Sequence, residues 1–146
     1  LATVRLARGL LPVLRRGRDA RVVLFGAAAA RMPYAEQIVS NVHKAGHLAL
    51  VKTLAAELLP EGIRVNAVAP GRTVTRLWRR RAETLAQQEG TTPEAVLERF
   101  ARDIPLGRFA RAEEIANVAA FLASPRSSYV VGQSVAVDGG IGRGLL

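Results

Sequence analysis

Gly62-Ile63-Arg64-Val65-Asn66-Ala67-Val68-Ala69-Pro70-Gly71 is the stretch on which the fold turns. Ile63 to Val68 is short and almost continuously apolar, as strands buried on both faces of a parallel sheet are. Pro70-Gly71 closes it with a turn. Upstream, Pro60 and Gly62 stop a helix expected over 36–58, whose buried stripe is Leu48, Val51, Ala55 and Leu58. Before that helix, Gly26 to Pro33 is a loop of small residues, and Arg21 to Phe25 is another short apolar strand. Strand, long helix and strand in this order predict a right-handed parallel crossover. In open α/β sheets ligands sit at the strand exits. Chemistry is therefore to be sought at Gly26, at Pro70-Gly71 and along Ser40 to Lys52, SNVHKAGHLALVK.

The rest of the chain extends the same pattern. Leu6, Leu10, Val13 and Leu14 fall on one face of a first helix over 1–16, ended by Gly17. Arg76 to Gln88 reads as a helix with a basic face, broken by Gly90. Thr92-Pro93-Glu94 starts another, with a Thr cap, Pro at the first helical position and an acid in the first turn; it ends near Ile104-Pro105. Glu113 to Ser124 is a helix with Ile115, Val118, Ala119 and Leu122 on one face. Tyr129 to Val137 is expected as the last strand, followed by the turn Asp138-Gly139-Gly140. No repeat or linker interrupts residues 1–146, which read as one layered α/β domain.

Composition narrows the function classes. The chain has 146 residues, 49% of them apolar, and no apolar run long enough to span a bilayer. It contains no cysteine, which excludes disulfides and thiolate metal sites. His43 and His47 have no acidic partner at metal-ligand spacing, so no metal is expected. With no signal peptide in view, the expected location is the cytoplasm. The net charge of +9 raises the question of nucleic acid. The basic residues are dispersed and aromatics make up only 5%, so Arg79-Arg80-Arg81 is read as an exposed solvated face.

Four segments, in this order and spacing, together resemble one family. They are Lys44-Ala-Gly within a long helix, Gly62 to Gly71, Ile104-Pro-Leu-Gly-Arg108 with Glu113-Glu-Ile-Ala116, and Ser128-Tyr-Val-Val-Gly-Gln133 leading to Val137-Asp-Gly-Gly140. They resemble the short-chain dehydrogenases/reductases, most closely the bacterial reductases similar to 3-oxoacyl-carrier-protein reductase. The resemblance implies the C-terminal part of a Rossmann-like doubly wound parallel sheet with flanking helices. It also implies NAD or NADP as cofactor and a small carbonyl or alcohol as substrate. The family's Gly-rich turn for the pyrophosphate has no counterpart here, since no helix follows Gly139-Gly140-Ile141-Gly142. Leu1 falls inside a helical pattern, so the expectation is a fragment lacking the N-terminal dinucleotide-binding half.

The family reduces a carbonyl with a Ser, a Tyr and a Lys, the last two spaced four apart on one helix. The Lys holds the nicotinamide ribose and lowers the Tyr pKa, the Tyr donates the proton, and the Ser polarises the carbonyl. By resemblance Lys44 is that Lys. The Tyr position is occupied by Ser40 and the Ser position by Ala27. Tyr34, in the preceding loop, is the candidate substitute donor. Ser40, Lys44 and His47 share a helical face, although the family packs an apolar residue where His47 stands. Pro70, Gly71, Thr73 and Thr75 match the loop that holds the nicotinamide amide, through the Thr73 backbone and the Thr75 hydroxyl. Residues 76–103 match the variable substrate lid, with Leu77, Trp78 and Phe100 as its apolar side chains. Two functions follow as expectations. One is a family oxidoreductase with a degraded site, weak or inactive as this chain. The other is a non-catalytic module that forms homo-oligomers through helices 1–16 and 36–58.

Overall fold

The computed structural model describes residues 2–35 and 37–144. The expected helix starts at 1 and 36, and the end of the C-terminal tail, fall outside them. Three parallel strands, β1 (Arg21–Phe25), β2 (Arg64–Pro70) and β3 (Ser134–Val137), lie in the order β1-β2-β3. Phe25 pairs with Val68, Ala67 with Ser134 and Pro70 with Val137. All three strand ends therefore open on the same side.

Helices cover both faces, as the strand pattern requires. Val65 points to one face, where it packs with Ala55 and Leu58 of α2 (Ile38–Leu58) and with Leu11 and Leu14 of α1 (Ala2–Leu14). Val68 points to the other, against Ile115 and Leu122 of α5 (Ala112–Ala123). Between β2 and α5, α3 (Arg76–Glu89) and α4 (Pro93–Ala101) fold as a helical hairpin around Ala82, Ala86 and Val96. Gly90 ends α3 at φ 65°, a conformation that favours glycine. The Thr92 hydroxyl accepts from the Ala95 amide to cap α4, as its sequence predicts. At α5 the Glu114 carboxylate accepts from the Arg111 amide and from Arg108. The Arg108 guanidinium and that amide hold its pKa at about 2.

Three expectations are corrected. On α1 the four residues expected to share one face divide: Leu6 is 63% and Val13 57% exposed, and Leu10 is exposed too. Leu14 does pack inward, with Leu11 as its partner, because α2 and Ile63 meet α1 along that narrower stripe. The expected strand from Tyr129 begins only at Ser134. A turn at Ser128-Tyr129, a positive φ at Gly132 and the buried side chain of Asn66 replace its first half. Asn66 donates to the Val130 carbonyl and accepts from the Gln133 amide, so it satisfies two backbone groups that no strand pairs. At the other end, β2 runs two residues past the expected stop at Val68.

Candidate functional site

Two adjoining cavities open at the strand exits. One, of about 470 Å³, has Tyr34, Ser40, Arg72 and Arg81 on its wall. The other, of about 460 Å³, has Lys44, Thr73 and Thr75 on its wall. Ala27, Pro70, Gly71, Leu77 and Trp78 line both. Tyr34, Ser40, Lys44, Pro70, Gly71, Thr73 and Thr75 thus each lie on one or the other, but they are divided: Ser40 and Lys44, one helical turn apart, face different cavities.

The strand exits are built to leave this space. The Gly26 amide bonds to the Val68 carbonyl at 2.8 Å and extends the β1–β2 pairing by one residue. Ala27 follows in extended conformation and a short turn at Ala28–Ala30 tucks under α2. Ala28 and Ala29 are buried, so only small side chains fit. No hydroxyl occurs from Gly26 to Ala30. Gly71 is required by contact: a Cβ there would stand 2.6 Å from the Asp138 Cα. The Gly71 amide bonds to the Val137 carbonyl at 3.0 Å, which fastens the exits of β2 and β3 together.

The loop after Gly71 is pinned by Ala110, which donates to the Arg72 carbonyl and accepts from the Val74 amide, each at 2.9 Å. Thr73 is buried, and its hydroxyl donates to the Gly71 carbonyl. Among the described residues, its own amide and carbonyl make no hydrogen bond. The Thr75 hydroxyl caps α3 by accepting from the Trp78 amide and keeps its own proton to donate. An unpaired buried amide and carbonyl, a free hydroxyl proton and the Lys44 ammonium suit a ligand that carries a carboxamide and a ribose. Thr73, Thr75 and Lys44 line one cavity, with the chemistry that the resemblance implies for holding the nicotinamide end of NAD or NADP. The Asp138-Gly139-Gly140 segment does not serve the pyrophosphate end. Its Asp138 carboxylate already accepts from the Gly140 and Gly142 amides, and among the described residues no helix follows.

Tyr34 is held by Asn41 of α2, whose side chain donates to the Tyr34 carbonyl at 2.7 Å and accepts from its amide. Burial, more than any charge, raises the Tyr34 pKa; the Arg72 guanidinium pulls the other way. The phenol is therefore protonated at neutral pH. His47 lines neither cavity. Its Nε2 shares a hydrogen bond of 3.2 Å with the Thr3 hydroxyl of α1. Burial first, then the nearby His43 and Lys44, lowers its pKa. The shared helical face of Ser40, Lys44 and His47 does not converge on one site, and His47 is a helix-packing residue.

Sequence reasoning did not single out Arg72, and it read Arg81 only as part of the exposed basic face 79–81. The Arg72 Nη1 donates to Asp103 at 2.8 Å and to the Phe100 carbonyl. Trp78 meets Phe100 and Phe109 edge-on, with centroids 5.2 and 4.9 Å apart. The one available signal was Arg72 following directly on the strand-exit turn Pro70-Gly71. Among the described residues no His, Asp and Glu group is placed to hold a metal ion, and no helix is long and apolar enough to cross a membrane.

A family model described as Enoyl-(Acyl carrier protein) reductase matches residues 1–142. The uncharacterized oxidoreductase YmfI of Bacillus subtilis is 38% identical over 135 residues, which are 92% of this chain and 51% of that protein. The 3-oxoacyl-[acyl-carrier-protein] reductase FabG of Thermotoga maritima is 47% identical over 98 residues, 67% of this chain and 35% of that one. The crystal structure of L-sorbose reductase from Gluconobacter frateurii, complexed with NADPH and L-sorbose, superposes with a TM-score of 0.94 at 38% identity. It covers 99% of this chain and 55% of that one. The chain thus spans about half the length of such relatives.

Proposed function

The chain belongs to the short-chain dehydrogenase/reductase family, and on that premise we propose that its two cavities are the substrate and nicotinamide sides of a carbonyl-reducing site that has lost its proton donor and its polarising hydroxyl. One observation carries the reading. The cavities meet at Ala27, with Lys44 on one and Ser40 on the other. Lys44, Thr73 and Thr75 would hold the ribose and carboxamide of NAD or NADP, which when bound supplies a hydride. Ala27 offers the substrate carbonyl no side-chain hydrogen bond. Ser40 offers a hydroxyl far less acidic than a phenol, so it relays a proton poorly near neutral pH. Tyr34 is the phenol left on the substrate cavity, and its burial makes it a weaker acid than a phenol beside a lysine.

Carbonyl reduction by this chain is accordingly expected to fall short of family members by roughly the 10²–10⁴ that a placed general acid supplies. Steady-state oxidation of NADH and NADPH with ketone and oxoacyl substrates measures it. Turnover at family level would overturn the reading.

A second reading, a non-catalytic oligomerising module, is favoured by one separate observation. Leu6, Leu10 and Val13 on α1 and Ile38, Val39 and Val42 on α2 are all exposed, Val39 to 82%. Exposed apolar side chains gathered on neighbouring helices mark association surfaces. Homo-oligomers in sedimentation velocity, lost on replacing Leu6, Val39 and Val42 by Ser, are the expected result. A monomer at high concentration would remove this reading.

A further inference from the structure

We infer that the cavity lined by Tyr34 and Ser40 selects small organic anions, an oxo or hydroxy compound with a carboxylate or phosphate head, over neutral analogues. Two cations line it, and among the described residues no carboxylate does. Arg81 makes no hydrogen bond or ion pair among the described residues. Arg72 spends only Nη1, on Phe100 and on Asp103, whose side chain is well exposed. Among the described residues its Nε and Nη2 protons keep no acceptor.

Both guanidiniums are held by the same pair of rings. The Arg81 Cζ lies 5.1 Å from the Trp78 centroid and 5.7 Å from Phe100. The Arg72 Cζ lies 5.1 Å from Phe100 and 6.0 Å from Trp78. These ring contacts restrain both side chains, so less side-chain entropy remains to be lost when a ligand binds. An anion in this cavity would add to the pairing that Arg72 has with Asp103 and would give Arg81 a partner it lacks among the described residues. A planar carboxylate or a phosphate matches the guanidinium fork. The apolar remainder, the three alanines and Trp78, suits the carbon skeleton of a small molecule, and a cavity near 470 Å³ is of ligand size.

This inference rests on reading the cavity as the substrate side of the site, and its test reads binding instead of turnover. Calorimetric titration of the 146-residue chain with acetoacetate against methyl acetoacetate, and with fructose 6-phosphate against fructose, compares each anion with a neutral partner. In at least one pair the anion should bind roughly tenfold tighter or more. Arg81→Gln should bring that ratio near unity. Arg81 is exposed and caps no core, so this variant is expected to unfold at the parent temperature, which circular dichroism checks. The preferred pair tells a carboxylate head from a phosphate head. Equal affinity within both pairs, no measurable binding of any probe, or a preference that survives Arg81→Gln would each overturn it. A charge preference can fail while turnover stays low, and high turnover can coexist with the preference, so the two readings fail separately.

Discussion

Replacing Ser40 by Tyr is expected to raise NAD(P)H-dependent carbonyl reduction about a hundredfold or more, the scale on which a positioned general acid acts. Ser40 is exposed on the first turn of α2 and faces the open 470 Å³ cavity, so a ring added there enters free space instead of the core. The phenol would stand one helical turn before Lys44, whose positive charge favours the phenolate and so strengthens the acid. A tyrosine hydroxyl ionises near pH 10 before any such help. The control is Ser40→Phe, which adds the same ring without a proton. If Phe raises turnover as Tyr does, the gain is packing and the account of Ser40 is wrong. Adding Ala27→Ser to Ser40→Tyr returns a donor to the strand exit, where a hydrogen bond to developing negative charge contributes on the order of 10²-fold. The double variant should therefore exceed the single one. Lys44→Met should erase the gain from either.

The frame of this site was legible because it is local. Thr92-Pro93, Gly90, Pro60-Gly62 and Pro70-Gly71 fix ends through their own backbone chemistry, and the structure places helix or strand ends beside each of them. The α2 stripe of Val51, Ala55 and Leu58 is buried as its spacing predicts, with Leu48 half-buried. What failed was set by partners distant in sequence. The β3 start moved because Asn66, more than sixty residues earlier, supplies the hydrogen bonds a strand partner would have made. The four apolar residues placed on one face of α1 divide, Leu14 inward and Leu6, Leu10 and Val13 outward, since periodicity cannot say where a neighbour cuts across a stripe. His47, by contrast, turns to Thr3 across a helix pair, the packing role that the family's apolar residue at its position implied. Arg72 and Arg81 looked like ordinary surface charge, because their meaning depends on Trp78 and Phe100 from two different helices converging on them. The split of Ser40 from Lys44 between two cavities is likewise a matter of what α3 and the Gly71 loop place above α2.

Gly71→Ala is expected to destabilise the fold by roughly 2–4 kcal/mol, combining overpacking with a weakened backbone hydrogen bond. The added methyl would lie 2.6 Å from the Asp138 Cα, 2.8 Å from its Cβ and 3.0 Å from its carbonyl oxygen. Two of these are backbone atoms, which cannot swing aside as the end of a flexible side chain can. Relief therefore requires the exits of β2 and β3 to part, and the bond from the Gly71 amide to Val137 lies across that gap. Asp138 would carry the disturbance further. Its carboxylate holds the Gly140 and Gly142 amides, and the neighbouring Gly139 carbonyl accepts from the Leu106 amide. Because Gly71 lines both cavities, affinity for the anionic probes should fall along with stability. Urea denaturation should show a lower midpoint with an unchanged slope, the mark of lost stability instead of an altered unfolded state. Gly46→Ala is the counterpart. Gly46 lies within α2 and a Cβ there meets nothing within 4 Å, so helix propensity alone should stabilise it by about 1 kcal/mol. If Gly71→Ala unfolds at the parent midpoint, the close approach of Asp138 does not constrain this turn, and the wall shared by the two cavities is softer than its geometry implies.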